Sequence, residues 1–153
     1  MLENVLNVVL LRNLRAKRVQ EQFLNCVESE FAEEFLELLL KLMSLVLFLN
    51  QDFRRNIKNF NGRYLFRSSN DRITVAAVFK DNKLKVSEKK IDNTNMTVTF
   101  RNPKALMNYL LTPKPDILGS MLRQDVVIDG NLNYLFKFAY MAKHLQLMVT
   151  GKA

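Results

Sequence analysis

Apolar residues follow two periods along this chain. Through about residue 60 they recur every three or four positions, and from there to about residue 100 they alternate with polar ones. Leu24, Val27, Phe31, Phe35, Leu38, Leu42, Leu45 and Leu49 hold one helical face, which predicts a helix over about 19–49. Glu21, Glu28, Glu30, Glu33, Glu34 and Glu37 supply its wet side and suit the positive end of the helix dipole. From Leu36 onward Leu36, Leu39, Leu40, Met43, Val46, Leu47 and Phe48 fill the remaining sides. A helix apolar all round is covered on more than one side. The domain is expected to cover one side and a second copy of the chain the other, giving a homodimer through the N-terminal helices. The alternative is a helix wrapped within one chain. A shorter helix is expected over 1–15, where Val5, Leu6, Val8, Val9, Leu10 and Leu14 are apolar and Arg12 to Arg18 add positive charge. Asn50-Gln51-Asp52 breaks the long helix, with Asp52 placed to cap a further short one. Phe53, Ile57 and Phe60 share a side of that piece, and Asn61-Gly62 is expected to stop it.

Strand patterns follow. Tyr64 to Arg67 is the first. Ser68-Ser69-Asn70-Asp71 is turn chemistry. Ile73, Val75, Ala77 and Phe79 alternate with Thr74, Ala76 and Val78, a strand apolar on both faces. Asp81-Asn82 predicts a tight turn, because both residues tolerate positive φ. Leu84 and Val86 alternate with Lys83, Lys85 and Ser87, a wetter strand. Short connections between successive strands imply an antiparallel meander.

The stretch from Asn95 to Leu147 then reads strand, helix, helix, strand, helix. Met96-Thr97-Val98-Thr99-Phe100 alternates apolar and hydroxylated side chains. Asn102-Pro103 starts a helix, as N-cap and first helical residue, with Leu106, Tyr109 and Leu110 on its apolar side. Thr112 to Asp116 breaks it, Ile117 to Leu122 forms another, and Val126-Val127-Ile128 is a short strand. Asp129-Gly130-Asn131 turns the chain into a last helix, Leu132 to Leu147.

Composition narrows the chemistry. The chain has 153 residues, enough for one domain with a helical extension. Seven Met and eleven Phe without Trp point to a soft, aromatic interior. Cys26 is the one cysteine, so no intramolecular disulfide forms, which favours a reducing compartment, the cytoplasm. Cys26 reads as a buried structural thiol, since no His or basic cluster adjoins it. No basic n-region precedes the first apolar run, and Phe35 to Leu49 carries Glu37 and Lys41, so a soluble chain is expected. Of the +8 net charge, residues 1–47 hold five Lys/Arg against seven Glu, and residues 48–153 hold eighteen against eight acids. The globular part is therefore basic and favours anionic partners, including transient contact with an anionic membrane surface. No recognition helix or aromatic-basic motif supports nucleic acid.

Catalytic constellations do not emerge. His144, the single histidine, has no second metal ligand at helical spacing and reads as a solvent-facing helix-end residue. Ser68, Ser69 and Ser120 lack the glycine-flanked sharp turn of a nucleophile. Gly62, Gly119, Gly130 and Gly151 form no phosphate loop. No enzyme, metal or cofactor is expected. What remains is a dry surface between a sheet and unusually apolar helices.

Four segments carry a resemblance: Asn95 to Phe100, Pro103-Lys104-Ala105-Leu106, Asp116-Ile117-Leu118, and Val127 to Asn131 leading into the apolar helix. In this order, residues from about 62 to 147 resemble the sterol carrier protein type 2 (SCP-2) lipid-binding family. The resemblance implies an α+β fold, a five-stranded mixed, mostly antiparallel sheet with helices on one face. Here residues 61–153 would form the domain and residues 1–60 an N-terminal helical extension. It also implies non-enzymatic binding or transfer of a fatty acid, acyl-CoA, sterol or similar ligand in a hydrophobic tunnel. Carried residue by residue, the tunnel would be lined by Met96, Val98, Phe100, Leu106, Tyr109 and Leu110. Ile117, Leu118, Met121 and Leu122 would follow, then Leu132, Leu135, Phe136 and Ala139. Arg67, Arg72, Arg101 or Arg123 would meet a headgroup. Where the family commonly has Gly-Lys before the last strand, this chain has Gln124-Asp125. An empty apolar cavity of roughly 400 Å³ would cost about 10 kcal/mol. Three outcomes satisfy that energy: a lipid fills the tunnel, the N-terminal helix plugs it, or the helices collapse onto the sheet. In the last two the chain would act as a dimerisation or interaction module.

Overall fold

The computed structural model describes residues 29–111, 117–149 and 151. The helix expected over 1–15, the start of the 19–49 helix and Cys26 lie outside these residues. Helix α1 runs Ser29–Leu49, followed by a short α2, Gln51–Arg54, and a 3-10 turn, Arg55–Ile57. Strands β1 (Gly62–Ser68), β2 (Thr74–Lys80), β3 (Lys83–Ser87) and β4 (Met96–Phe100) come next. Helices α3 (Pro103–Leu111) and α4 (Ile117–Leu122), strand β5 (Val126–Gly130) and helix α5 (Leu132–Val149) complete it.

The five strands form one sheet in the order β3-β2-β1-β4-β5. The meander expected from short connections holds for β1 to β3 only. β4 crosses to the far side of β1 and pairs with it in parallel, Tyr64 opposite Met96 and Phe66 opposite Val98. β5 returns antiparallel, Phe100 opposite Val126. The sheet is therefore mixed, as the family resemblance implies, and its centre is the parallel pair.

Register decides which side chains face the helices. Tyr64, Phe66, Val75, Ala77, Phe79, Leu84, Met96, Val98, Phe100 and Val126 share one face and one buried cluster with the helices. The alternate residues Arg63, Leu65, Arg67, Thr97 and Thr99 point the other way. α1 lies across β2 and β3, tied by Ser44 Oγ donating to the Leu84 carbonyl (2.8 Å) and by Glu33 Oε2 accepting from the Thr74 N–H (2.8 Å). Its buried stripe is Ala32, Leu36, Leu40, Met43 and Leu47, with Phe35. That corrects the stripe read from spacing: Phe31, Leu45 and Leu49 are exposed and Leu38 and Leu42 half-buried. In a helix apolar on all sides, spacing alone does not select the face.

Local chemistry explains most boundaries. Asn50, not Asp52, caps α2, its Oδ1 accepting from the Phe53 N–H at 2.8 Å. Phe53 and Ile57 are then buried together, as their shared side predicts. The turn ends at Asn59, with φ 57°, rather than at Gly62, which is already the first residue of β1. Asp81 and Asn82 both take positive φ, 54° and 60°, and close the β2–β3 hairpin as expected. At Gly130 φ is 128°, and a side chain there would meet the Asn95 carbonyl oxygen at 2.2 Å. Only glycine lets β5 end so close to β4. Asn131 Oδ1 then accepts from the Asn133 N–H (2.9 Å) as α5 begins. Among the described residues no helix is long and apolar enough to cross a membrane.

Candidate functional site

The β4–β5 end of the sheet is walled by Met96, Val98, Phe100, Val126 and half-buried Ile128. α3 closes over it. Asn102 Oδ1 accepts from the Ala105 N–H at 2.8 Å, the N-cap that the Asn-Pro pair predicts. The helix then buries Leu106 and Met107 fully and packs Ala105, Tyr109 and Leu110 against the core. The Tyr109 ring lies 5.8 Å from Phe100, and burial pushes its phenol pKa up.

α5 supplies the opposite wall with Leu135, Phe138, Met141 and Leu145 buried. Its other side is neither buried nor polar: Leu132, Phe136 (59% exposed) and Tyr140 form a surface stripe. α4 continues the pattern, with Leu118 74% and Leu122 85% exposed and Met121 also at the surface. Five of the expected lining residues, Met96, Val98, Phe100, Leu106 and Leu135, thus meet in one buried cluster, and Tyr109 and Leu110 pack on it. Ala139 is half-buried, while Leu118, Met121, Leu122, Leu132 and Phe136 stand at the surface. The Ile117 side chain lies outside the described residues.

The β1–β2 side is filled by rings. Phe138 of α5 lies 5.1 Å from Phe66 and 5.5 Å from Tyr64, and Tyr64 is 5.6 Å from Phe79. The Tyr64 hydroxyl donates to the Tyr134 carbonyl at 2.7 Å. Desolvation raises the Tyr64 pKa well above the ordinary tyrosine value. Lys137 Nζ sits 5.5 Å from the centre of the Phe60 ring. His144, expected in solvent, is instead half-buried. Its Nδ1 is 3.2 Å from Asn56 Nδ2 and its ring 5.2 Å from Phe53, so it ties α5 to the α2 region.

The four arginines considered for a headgroup are mostly engaged. Arg101 and Arg123 both pair with Asp125, at 2.6 and 3.1 Å. Arg67 pairs with Asp71 at 2.6 Å and stands on the sheet face away from the helices. Arg72 is exposed in the β1–β2 turn. Among the described residues no group of His, Cys, Asp and Glu could hold a metal ion.

This geometry has known counterparts. No family model matches the chain, and no curated protein matches it. Solved structures do. A UbiJ-SCP2 ubiquinone synthesis protein superposes with a TM-score of 0.53 at 13% identity, over 75% of this chain and 91% of that one. The sterol carrier protein domain 2 of Helicoverpa armigera gives 0.50 at 15% identity, over 70% and 84%. The fold is that of SCP-2. A sec-alkylsulfatase from Pseudomonas also matches (TM-score 0.47, 12% identity), where this chain spans only 13% of that protein's length.

Within the SCP-2 fold, Gln124 takes φ 59°. It holds the left-handed conformation at the place where the family resemblance leads one to expect glycine. Asp125, in the place of the expected lysine, gathers Arg101 and Arg123 instead of adding a cation. Met107, Val126, Ile128 and Phe138 belong to the same walls but are absent from the lining that the sequence predicts. Met107 stands three residues before Leu110, a helical spacing that could have found it. Val126-Val127-Ile128 does not alternate, so its inward face is invisible without the partner strand.

Proposed function

We propose that this chain reversibly binds a lipid or another long apolar ligand between the sheet and helices α3 to α5, without catalysing a reaction on it. One observation carries the reading. Large apolar side chains line the buried wall at β4 and β5, and the neighbouring α4 and α5 present Leu118, Leu122 and Phe136 to solvent. Burial recovers about 25 cal/mol per Å² of apolar surface, so a ligand drawn against those side chains gains what the free protein forgoes. The SCP-2 fold supports the same reading. One structural neighbour is a sterol carrier domain and another a ubiquinone synthesis protein, and both names concern apolar molecules. In this reading residues 61–153 form the binding unit and residues 1–60 its helical extension. The basic charge of residues 48–153 favours brief contact with an anionic membrane during loading.

Organic extraction of the purified protein with mass spectrometry, beside titration with a fluorescent fatty acid, tests this. Co-purified lipid or saturable binding is expected; neither being found would end the proposal. A second reading rests on α1, where Leu45, Phe48 and Leu49 are exposed. They would form a homodimer or partner surface. Light scattering that shows a monomer at high concentration removes the homodimer.

A further inference from the structure

Two long helices expose large apolar side chains, and they differ in charge. On α1 the exposed Leu45, Phe48 and Leu49 share a helix with Glu30, Glu33, Glu34 and Glu37, against Lys41 alone. On α5 the exposed Leu132, Phe136 and Tyr140 recur every four residues, and Lys143 continues the same stripe three residues on. From Asn131 to Ala153 the chain has three Lys and no Asp or Glu. Lys143 is exposed and enters no ion pair among the described residues. α4, equally free of acids, adds exposed Leu118 and Leu122. We propose that the outer stripe of α5 is a membrane-docking surface, laying Leu132, Phe136 and Tyr140 into the interface of an anionic bilayer with Lys143 at its phosphates. This inference rests on the ligand-binding reading above and names the surface at which the ligand is exchanged.

Charge selects the occupant. A helix lying in a bilayer interface buries an apolar face and reaches the headgroups with cations. Tyr140 suits that boundary, because its ring is apolar and its hydroxyl polar. A second copy of the chain would bring the same acid-free helix, with no carboxylate for Lys143. A nucleic acid would supply phosphates but leave Leu132 and Phe136 in water. The glutamates of α1 oppose an anionic surface. The sheet face away from the helices has exposed Lys83 and Lys85, but Val127 is its one exposed large apolar side chain among the described residues. The α5 stripe alone joins an exposed aromatic and aliphatic row to unopposed positive charge.

Vesicle flotation of the full chain tests it, with phosphatidylcholine alone and with phosphatidylcholine and phosphatidylserine in equal parts. Wild type is expected to prefer the anionic vesicles about tenfold. Phe136→Glu and Lys143→Glu, each at an exposed position and each checked by a thermal melt, are expected to lose about tenfold in that binding. Phe48→Glu on α1 is expected to lose none. Equal binding to both vesicle types would overturn the choice of an anionic bilayer. Loss in Phe48→Glu, or in a Lys83→Glu/Lys85→Glu variant, with none in the two α5 variants would place docking elsewhere and overturn the proposal. A stable dimer in light scattering that Phe136→Glu dissociates would assign the stripe to a second copy instead. Wild type that binds no vesicle yet binds a fluorescent fatty acid saturably overturns this inference and leaves the ligand-binding reading standing. Failure of both measurements ends both.

Discussion

The two ends of the sheet solve the same packing problem in opposite ways. On the β1–β2 side, Tyr64, Phe66, Phe79 and Phe138 interlock with centroid separations of 5.1 to 6.3 Å, and the one polar group among them is satisfied. On the β4–β5 side the wall is aliphatic and Met-rich, with Phe100 and Tyr109 as its ring pair. There α4 and α5 leave leucines and a phenylalanine in water. Rigid rings in fixed geometry specify one arrangement, whereas Met and aliphatic chains adapt to a guest. The comparison separates the part of the domain that holds the fold from the part that is free to serve it.

The sharpest way to break that comparison is Phe138→Ala. Removing a buried ring that touches Phe66 and Tyr64 should cost about 3–5 kcal/mol, whereas Phe136→Ala, two residues earlier and exposed, should stay within about 0.5 kcal/mol. Thermal melts of the two variants decide, and equal losses would erase the distinction between the two sides of α5. A smaller contrast is expected between the tyrosines. Tyr64→Phe removes the hydroxyl's hydrogen bond to the Tyr134 carbonyl and should cost about 1–2 kcal/mol, while Tyr109→Phe in the ligand-free protein should change stability little.

The same pair predicts a pH response. Burial raises the Tyr64 pKa above the ordinary value of 10.0 and shifts Tyr109 in the same direction. The folded state therefore keeps its phenols protonated where the unfolded chain ionises. That stabilisation is complete below about pH 10 and is lost as pH rises further. Urea midpoints at pH 9 and pH 11 should fall more steeply for wild type than for Tyr64→Phe; identical falls would discard the assignment. Smallest in stability is Leu122→Asp, which should leave the melt unchanged yet weaken a fluorescent fatty acid about tenfold if α4 meets the ligand. The same logic makes Met121→Arg a second probe of α4. Unchanged affinity in both would remove α4 from the site.

Much of this was legible before any coordinates. β4 matches its alternation, and Asn102 and the Asp81-Asn82 turn behave as their chemistry requires. These features are local: a cap or a turn is decided by residues a few positions apart. What spacing could not decide is which side of an apolar helix is dry. α1 buries Leu36 and Leu40 rather than Leu38 and Leu42. α5 buries Leu135 and Phe138 while exposing Leu132 and Phe136. On both helices the competing faces are equally hydrophobic, so only the partner surface breaks the tie. The crossover of β4 to the far side of β1 was equally invisible in strand patterns, and the family resemblance implied only that the sheet is mixed. Polar pairing over long separations, such as Asn56 with His144, was beyond reach for the same reason.

The position of β4 also bears on how the chain acquires its shape. The β2–β3 register joins Lys80 to Lys83, a closure that hardly restricts the chain, whereas the β1–β4 register joins Tyr64 to Met96 across the whole meander. Loop-closure entropy rises with the segment enclosed, and non-local parallel pairing is slow to form. The β1–β3 meander therefore has a local route to assembly, while the β4–β5 side must wait for a longer loop to close. During that interval Met96, Val98 and the leucines of α3 to α5 have no sheet to cover them. A chaperone, or an apolar guest arriving early, would meet the protein at the wall proposed to bind a ligand.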